Sequence, residues 1–470
     1  MAQAKQHKLI EIEWPSFGEA APPPQTDVSE FSARIAATRR AMEHLGLTHL
    51  VVYGDREHFA NLTYLTGFDP RFEEALLIVA RTDKPLLIVG NECEGYLNIS
   101  PLYVAGELRH ERFQPFSLLN QPRDNSRLIR EIFADESIAP GSVVGCAGWK
   151  YFADAEQPDG IHAIELPAYL VDTLRALVGR EAVVNATSIF MHPEQGLRTF
   201  CSAAEIAYFE YTSSLASNGM KQMLFGLREN MLDYELAQLA GYNGIPLNCH
   251  MTLATGENST RALTGPTGLR IRRGDPLSTN LAYWGSNSCR AGWVASSAQD
   301  LPANAQDYVE NFVGPYFAAV SAWFGLLRIG QPGGELARLI NERLPFAKFG
   351  IFLNAGHLIH LDEWLSSPIY PGSAIPLHSG MALQVDVIPA SPIYFSTRME
   401  DGVVLADANL RHQLQADFPA CFARCQQRRQ FMQEALGIEI AEEVLPLSNM
   451  PGIVPPYFLR PNLILALEKA

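Results

Sequence analysis

The sequence predicts a chain of two or three domains that opens on an α/β layer domain, and three observations carry that expectation. At 470 residues the chain is too long for a single core. Short strand-like and helical segments alternate up to about residue 190, the pattern of an α/β layer. A sharp helix start then follows at Ser202, after the connection MHPEQGLRTFC (191–201).

Residues 29–46 carry Phe31, Ile35, Met42 and Leu45 at helical spacing, and Gly46 supplies the stop. THLVVYG (48–54) reads as a strand, and ALLIVA (75–80) with PLLIVG (85–90) as a strand pair around a polar turn. Ser202 and Glu205 form a capping box, each side chain meeting a backbone N–H of the first turn. Ile206, Phe209, Leu215 and Met220 extend that helix towards residue 227, and a second helix is expected over 231–241. Strands are expected over 247–255 and 275–284, and helices over 305–328 and 334–344. Two later strands, 381–388 and 399–405, precede a long helix over 410–436. The closing segment carries Pro446, Pro451, Pro455, Pro456 and Pro461, so it cannot be regular helix; it is expected to wrap a surface or reach a partner subunit. The predicted boundaries are 1–195, 196–440 and a proline-rich tail, 441–470.

Composition removes several classes of function. Hydrophobic residues make up 47% and charged residues 19%, an ordinary globular mixture. No run of about 18 apolar residues occurs. The N-terminus has no apolar h-region, so a cytoplasmic location without membrane contact is expected. A net charge of −15 argues against nucleic acid, which demands clustered Lys and Arg. The seven cysteines are scattered without a CxxC pair. Cys421 and Cys425, at i, i+4 on a helix, read as small buried hydrophobes. There is no G-x-S-x-G elbow and no G-x-x-x-x-G-K phosphate loop. Cys249 and His250 are neighbours on a strand, so they face opposite sides and cannot pair directly.

Four blocks in the second half carry a resemblance: GDPLSTNLAYWGSNSCRAGW (274–293), NAGHLIH (354–360), GMALQVDVIP (380–389) and RMEDGVVL (398–405). In order and spacing they are similar to the ligand-bearing strands of the creatinase–prolidase family, and YLTGF (64–68) is similar to its first domain. The resemblance implies an α/β N-terminal creatinase-type domain plus an α+β pita-bread C-terminal domain. It also implies a homodimer acting on a small molecule. Arg71, just after YLTGF, would then reach a neighbouring subunit's pocket; the plainer reading is a surface ion pair with Glu73 or Glu74.

Peptidases of that family hold two divalent ions with Asp, Asp, His, Glu and Glu, because two hard cations a few Å apart need bridging carboxylates. Aligned on the motifs, these positions are Asn280, Ala291, His357, Asp386 and Glu400. Asn offers only a neutral carbonyl and Ala nothing, so the resemblance implies no two-metal centre and no cofactor. His357, Asp386 and Glu400 remain as candidates for a single ion. Creatinase, the family's metal-free branch, is similar at the same point, with Asn and Ala in place of the two Asp. LSTN (277–280) resembles its wording. The family's catalytic His, seven residues after Gly256, falls at Leu263, and leucine moves no proton. His357 or His250 is expected in its place. His360 is the weaker stand-in because strand alternation turns it away from His357.

The expected function is hydrolysis of a C–N bond in a small amino-acid-derived, amide or guanidino compound. His357 and His250 are the catalytic candidates, and Asp386, Glu400, Asn280 and Arg71 the substrate-binding ones. A Xaa-Pro-type metallopeptidase with one metal and a non-catalytic ligand-binding protein stay open. Creatinase itself is disfavoured by Leu263 and by the lack of any Arg between His357 and Arg398 to hold a substrate carboxylate.

Overall fold

A computed structural model describes residues 7–261 and 263–468, and the chain divides into two compact units. Strand β1 (His7–Glu11) belongs to the second unit, which combines the leader up to Pro23 with Phe200 onwards; the first unit is Pro24–Thr199. The division therefore falls at 199/200 rather than 195/196, and the leader does not go with the domain that follows it in sequence.

The first unit is built on a six-stranded mixed sheet. Its strands are β2 (His49–Gly54), β3 (Ala75–Ala80), β4 (Leu86–Val89), β5 (Arg109–Arg112), β6 (Val144–Ala147) and β7 (Val183–Asn185). The order across the sheet is β5-β4-β3-β2-β6-β7. The β3–β4 pair is the antiparallel hairpin expected from ALLIVA and PLLIVG, with Leu77 opposite Leu87. Both faces are covered, so β2, β3 and β4 read as near-continuous apolar runs, and Val51, Leu76, Ile88, Phe133 and Leu174 meet in the core. The helix Val28–His44 ends two residues before Gly46, whose φ of +71° suits glycine.

The second unit opens on the helix Ala203–Gly226, with the expected capping box: Ser202 Oγ accepts from Glu205 N, and Glu205 Oε2 accepts from Ser202 N. Two four-stranded sheets follow. One has the order β13-β10-β9-β8, from β8 (Leu253–Thr255), β9 (Pro276–Tyr283), β10 (Ser286–Trp293) and β13 (Arg398–Glu400). The other has the order β11-β12-β14-β15, from β11 (His357–Leu358), β12 (Ala382–Gln384), β14 (Gly402–Leu405) and β15 (Val444–Pro446).

Two expectations are corrected here. The long helix over 410–436 is two helices, Ala408–Asp417 and Pro419–Glu434, because Pro419 cannot continue the first and turns Phe418 out of helical geometry, at φ −135° and ψ 59°. The tail 441–470 is no surface wrap. It supplies β15 and β16 (Leu463–Leu467), and β16 pairs with β1 so that Leu9 lies opposite Leu465. Its prolines fall at the end of β15 or in the irregular link between the two strands, where Met450, Ile453, Val454 and Phe458 are buried.

One buried ion pair ties this unit together. Arg290 on β10 donates to Asp401 Oδ2 at 2.8 Å, to the carbonyls of Ile453 and Met450 in the tail at 2.9 Å, and to Cys289 O at 2.8 Å. Both side chains are nearly inaccessible. Replacing Asp401 by Leu leaves a guanidinium buried without its counter-charge, and the expected loss is about 3–5 kcal/mol in denaturant unfolding. A loss under about 1 kcal/mol, as for an exposed pair, would contradict this role.

Candidate functional site

Strand alternation assembles the site. On β10 the side chains of Asn287, Cys289 and Ala291 share one face while Arg290 turns to the other. Cross-strand register then sets Asn280 of β9 opposite Cys289, Cys289 opposite Glu400 of β13, and Ala291 opposite Arg398. The same alternation that sends Arg398 and Glu400 to this face returns Asp401 to Arg290. In the second sheet His357 lies opposite Gln384. Gln384 Nε2 donates to Asn287 O at 3.3 Å, which links the two sheets beside the site. Gly356 precedes His357 with φ +127°, and a Cβ there would stand 2.8 Å from Gln384 O, so only glycine admits this approach.

Three of the predicted residues converge. One ligand atom each from His357, Asp386 and Glu400 lies within 4.8 Å of the others, and all three residues are buried. His357 stacks on Trp364 at 4.3 Å and contacts Leu358 O through Nδ1 at 3.1 Å. Its Nε2 is 3.3 Å from Glu363 Oε1 and 3.9 Å from Asp386 Oδ2. Neither contact is aligned as a hydrogen bond, and both Nε2 and Asp386 Oδ1 are buried without one. Asn287 Nδ2 donates to Glu400 Oε1 at 2.9 Å.

Charges inside this cluster are matched internally. Burial works against a charge on His357, but Glu363 and Asp386 outweigh it and hold the imidazolium above its ordinary pKa. Burial likewise pushes the Glu363 carboxyl up, yet His357 prevails and keeps it below the usual range. Asp386 is raised by burial, with Glu363 adding to the rise and His357 and Arg398 opposing it. Glu400 is raised well above its ordinary value by burial and then by Asp386 and Glu363, so it favours the protonated form. Two thiols border the cluster. Burial lifts Cys289 to about 12, and it raises Cys249 further, with Glu363 and Glu400 contributing. Both stay neutral at ordinary pH.

The remaining predicted residues stand differently. Asn280 is buried with its Oδ1 already accepting from Thr252 N at 2.6 Å and Thr252 Oγ1 at 2.8 Å, so it braces β8 rather than offering a free carbonyl. His250 is exposed, with Nε2 3.3 Å from Leu263 O, and the structure does not bring it to the cluster. Leu263 is itself 79% exposed. His360 turns away, as strand alternation requires, and its Nε2 meets Glu205 Oε1 at 3.0 Å. Arg71 belongs to the first unit and pairs with Asp69 at 3.4 Å, not with Glu73 or Glu74. Sequence reasoning missed Glu363, Trp364, Asn287, Cys289 and the pocket-facing role of Arg398. The period of two along SNSCRAGW was signal enough for Asn287 and Cys289; Glu363 and Trp364 lie in a loop with no such period.

No family model matches the sequence, and no curated protein matches it significantly. Solved structures do match. The prolidase from Pyrococcus horikoshii OT3 aligns with a TM-score of 0.61 at 16% identity, covering 80% of this chain and 95% of that one. The X-Pro aminopeptidase from Thermotoga maritima MSB8 gives 0.60 at 15%, covering 80% and 95%. The Xaa-Pro dipeptidase from Bacillus anthracis gives 0.59 at 14%, covering 81% and 96%. The chain has their pita-bread fold.

A two-metal centre does not fit this pita-bread unit. Ala291 has no donor, Asn280 Oδ1 is committed to Thr252, and the guanidinium of Arg398 stands opposite Ala291. The donors His357, Asp386 and Glu400 are compatible with one ion. The raised Glu400 gives a prediction about stability. A carboxyl whose pKa is higher folded than unfolded costs stability as pH rises from the ordinary carboxyl range through its folded pKa. Glu400→Gln, which can still accept from Asn287, should flatten that decline by up to about 1.4 kcal/mol per pH unit. Urea unfolding at successive pH values measures the slope; identical slopes in the two proteins would refute the assignment.

Proposed function

We propose that this chain is a hydrolase that cleaves a C–N bond in a small amino-acid-derived, amide or guanidino substrate without a two-metal centre. The observation that carries the reading is the His357–Glu363 contact at 3.3 Å, set among Asp386, Glu400 and Asn287 where bridging carboxylates are lacking. Glu363 keeps a quarter of its side chain exposed, so it is the member of the pair that water reaches. In the proposed reaction Glu363 takes a proton from water as the water oxygen attacks the carbonyl or guanidinium carbon. The proton on His357 passes to the departing nitrogen as the C–N bond breaks. Asp386 and Asn287 orient the polar ends of the substrate. The fold shared with prolidases and Xaa-Pro peptidases supports hydrolysis as the class of reaction. We take the working form to be a cytoplasmic homodimer, checked by light scattering of the purified chain.

A second reading rests on the compact donor trio: His357, Asp386 and Glu400 would hold one divalent ion, which would polarise the scissile carbonyl. Arg398 beside the trio disfavours it, because a fixed cation repels a second one at close range. Turnover of a panel of N-substituted amino acids, amides and guanidino compounds, measured before and after chelator dialysis with metal analysis, decides between them. The expected result is chelator-resistant turnover that falls by about 10²–10⁴-fold in Glu363→Gln and His357→Gln. Turnover abolished by chelation and restored by one equivalent of metal would establish the second reading. Binding with no turnover by any member would make the chain a ligand-binding protein.

A further inference from the structure

Arg398 has no task in the proposed reaction, yet its surroundings are unusual for a guanidinium. An arginine head carries five N–H donors. Here its only side-chain hydrogen bond among the described residues runs from Nη1 to a thiol, Cys289 Sγ, at 3.5 Å. Its Nε is buried with no partner, and Arg398 forms no ion pair among the described residues. Asp386 and Glu400 are near enough to act on its charge but not to bond it. Leaving a buried donor unmade is costly, and a neutral sulfur is a weak acceptor. Directly across the sheet stands Ala291, whose side chain offers no acceptor. A second orphan lies in the same cluster, the buried Asp386 Oδ1, an acceptor with no donor.

We infer that Arg398 is the anion-recognition group of this pocket, and that the ligand is a small amido- or amino-carboxylate whose carboxylate bonds Arg398 while its N–H donates to Asp386. A guanidinium whose Nε has no partner and whose Nη1 has only a weak one fits a carboxylate, and an unpaired carboxylate oxygen fits an N–H. One molecule carrying both groups satisfies both orphans at once. The inference rests on the hydrolase reading only in taking this cluster to be the ligand pocket, and it narrows the substrate class. A neutral amide, or a guanidino compound lacking a carboxylate, would leave Arg398 as it is found.

The test uses the full chain after chelator dialysis and four probes: N-acetylglycine, its methyl ester, N-acetylglycinamide and N-acetylsarcosine, which lacks the N–H. Calorimetric titration and the shift in Tm read the binding. N-acetylglycine should bind about tenfold or more tightly than the ester and the glycinamide, the range of a charged hydrogen bond. N-acetylsarcosine should fall between them. Arg398→Met should erase the preference for the acid, and Arg398→Lys should keep part of it, since a point charge replaces the fork. Comparing the acid with its neutral isosteres in the unmutated chain needs no variant, so a folding failure of Arg398→Met does not blunt the test. Equal binding of acid and isosteres, no binding of the acid, or a preference kept in Arg398→Met would overturn the inference. Acid-selective binding without hydrolysis of any compound would remove the hydrolase reading and leave this one. Turnover of neutral amides with no preference for acids would do the reverse.

Discussion

The second unit depends on Arg290. Its side chain is fully buried, and its N–H groups are spent on Asp401 and on the carbonyls of Cys289, Ile453 and Met450. A guanidinium in such a place is tolerable only when every donor is met, so the groups around it are held where they are. Those groups come from three places distant in sequence: β10, the junction of β13 and β14, and the proline-rich tail. Fixing Asp401 against one face of the sheet necessarily turns Glu400 and Arg398 towards the other, because adjacent strand residues alternate. The buried pair behind the sheet thus sets the orientation of the pocket in front of it.

The pocket in front contrasts with the pair behind. Arg290 has its donors satisfied; Arg398 has one weak bond. The comparison matters because both lie in the same sheet, so the difference is not a property of the fold at large. A two-ion centre in this scaffold rests on an excess of carboxylates. Here the two positions that the resemblance aligns with carboxylates are Asn280 and Ala291, and the chain supplies its own cations, His357 and Arg398, against Glu363 and Asp386, while Glu400 favours its protonated form. A site balanced in this way supports the proposed metal-free reading, and within it Arg398 Nε has no acceptor and Asp386 Oδ1 no donor.

Much of this was legible in the sequence, for physical reasons that differ between elements. The strand pair at 75–80 and 86–89 and the capping box at Ser202 and Glu205 are local devices, encoded within a few residues of themselves. The convergence of His357, Asp386 and Glu400 is what the resemblance of the four blocks to the creatinase–prolidase family implies, and each sits on or beside a short strand. The tail was misread because proline content excludes helix but says nothing about edge pairing such as β1 with β16. Arg398 shares a strand face with Glu400, two residues on, and the cross-strand register with Ala291 turns that face to the pocket. Glu363 and Trp364 were invisible because a loop residue's direction is decided by the packing around it.

Leu263, where the resemblance to the creatinase–prolidase family implies a proton-moving histidine, argues against catalysis on the sequence alone. In the folded chain that side chain is 79% exposed, and its carbonyl faces His250, which is also exposed. Neither residue stands in the cluster where charge is concentrated. The proton-carrying pair within it is His357 and Glu363, an imidazolium stabilised by a carboxylate that water can reach. Leucine at 263 therefore removes one way of moving a proton, while the proposed reaction draws on another, His357 with the loop carboxylate Glu363. In the reaction proposed above that pair exchanges the protons, because Glu363 joins partial exposure to a cationic partner, whereas Asp386 and Glu400 are buried.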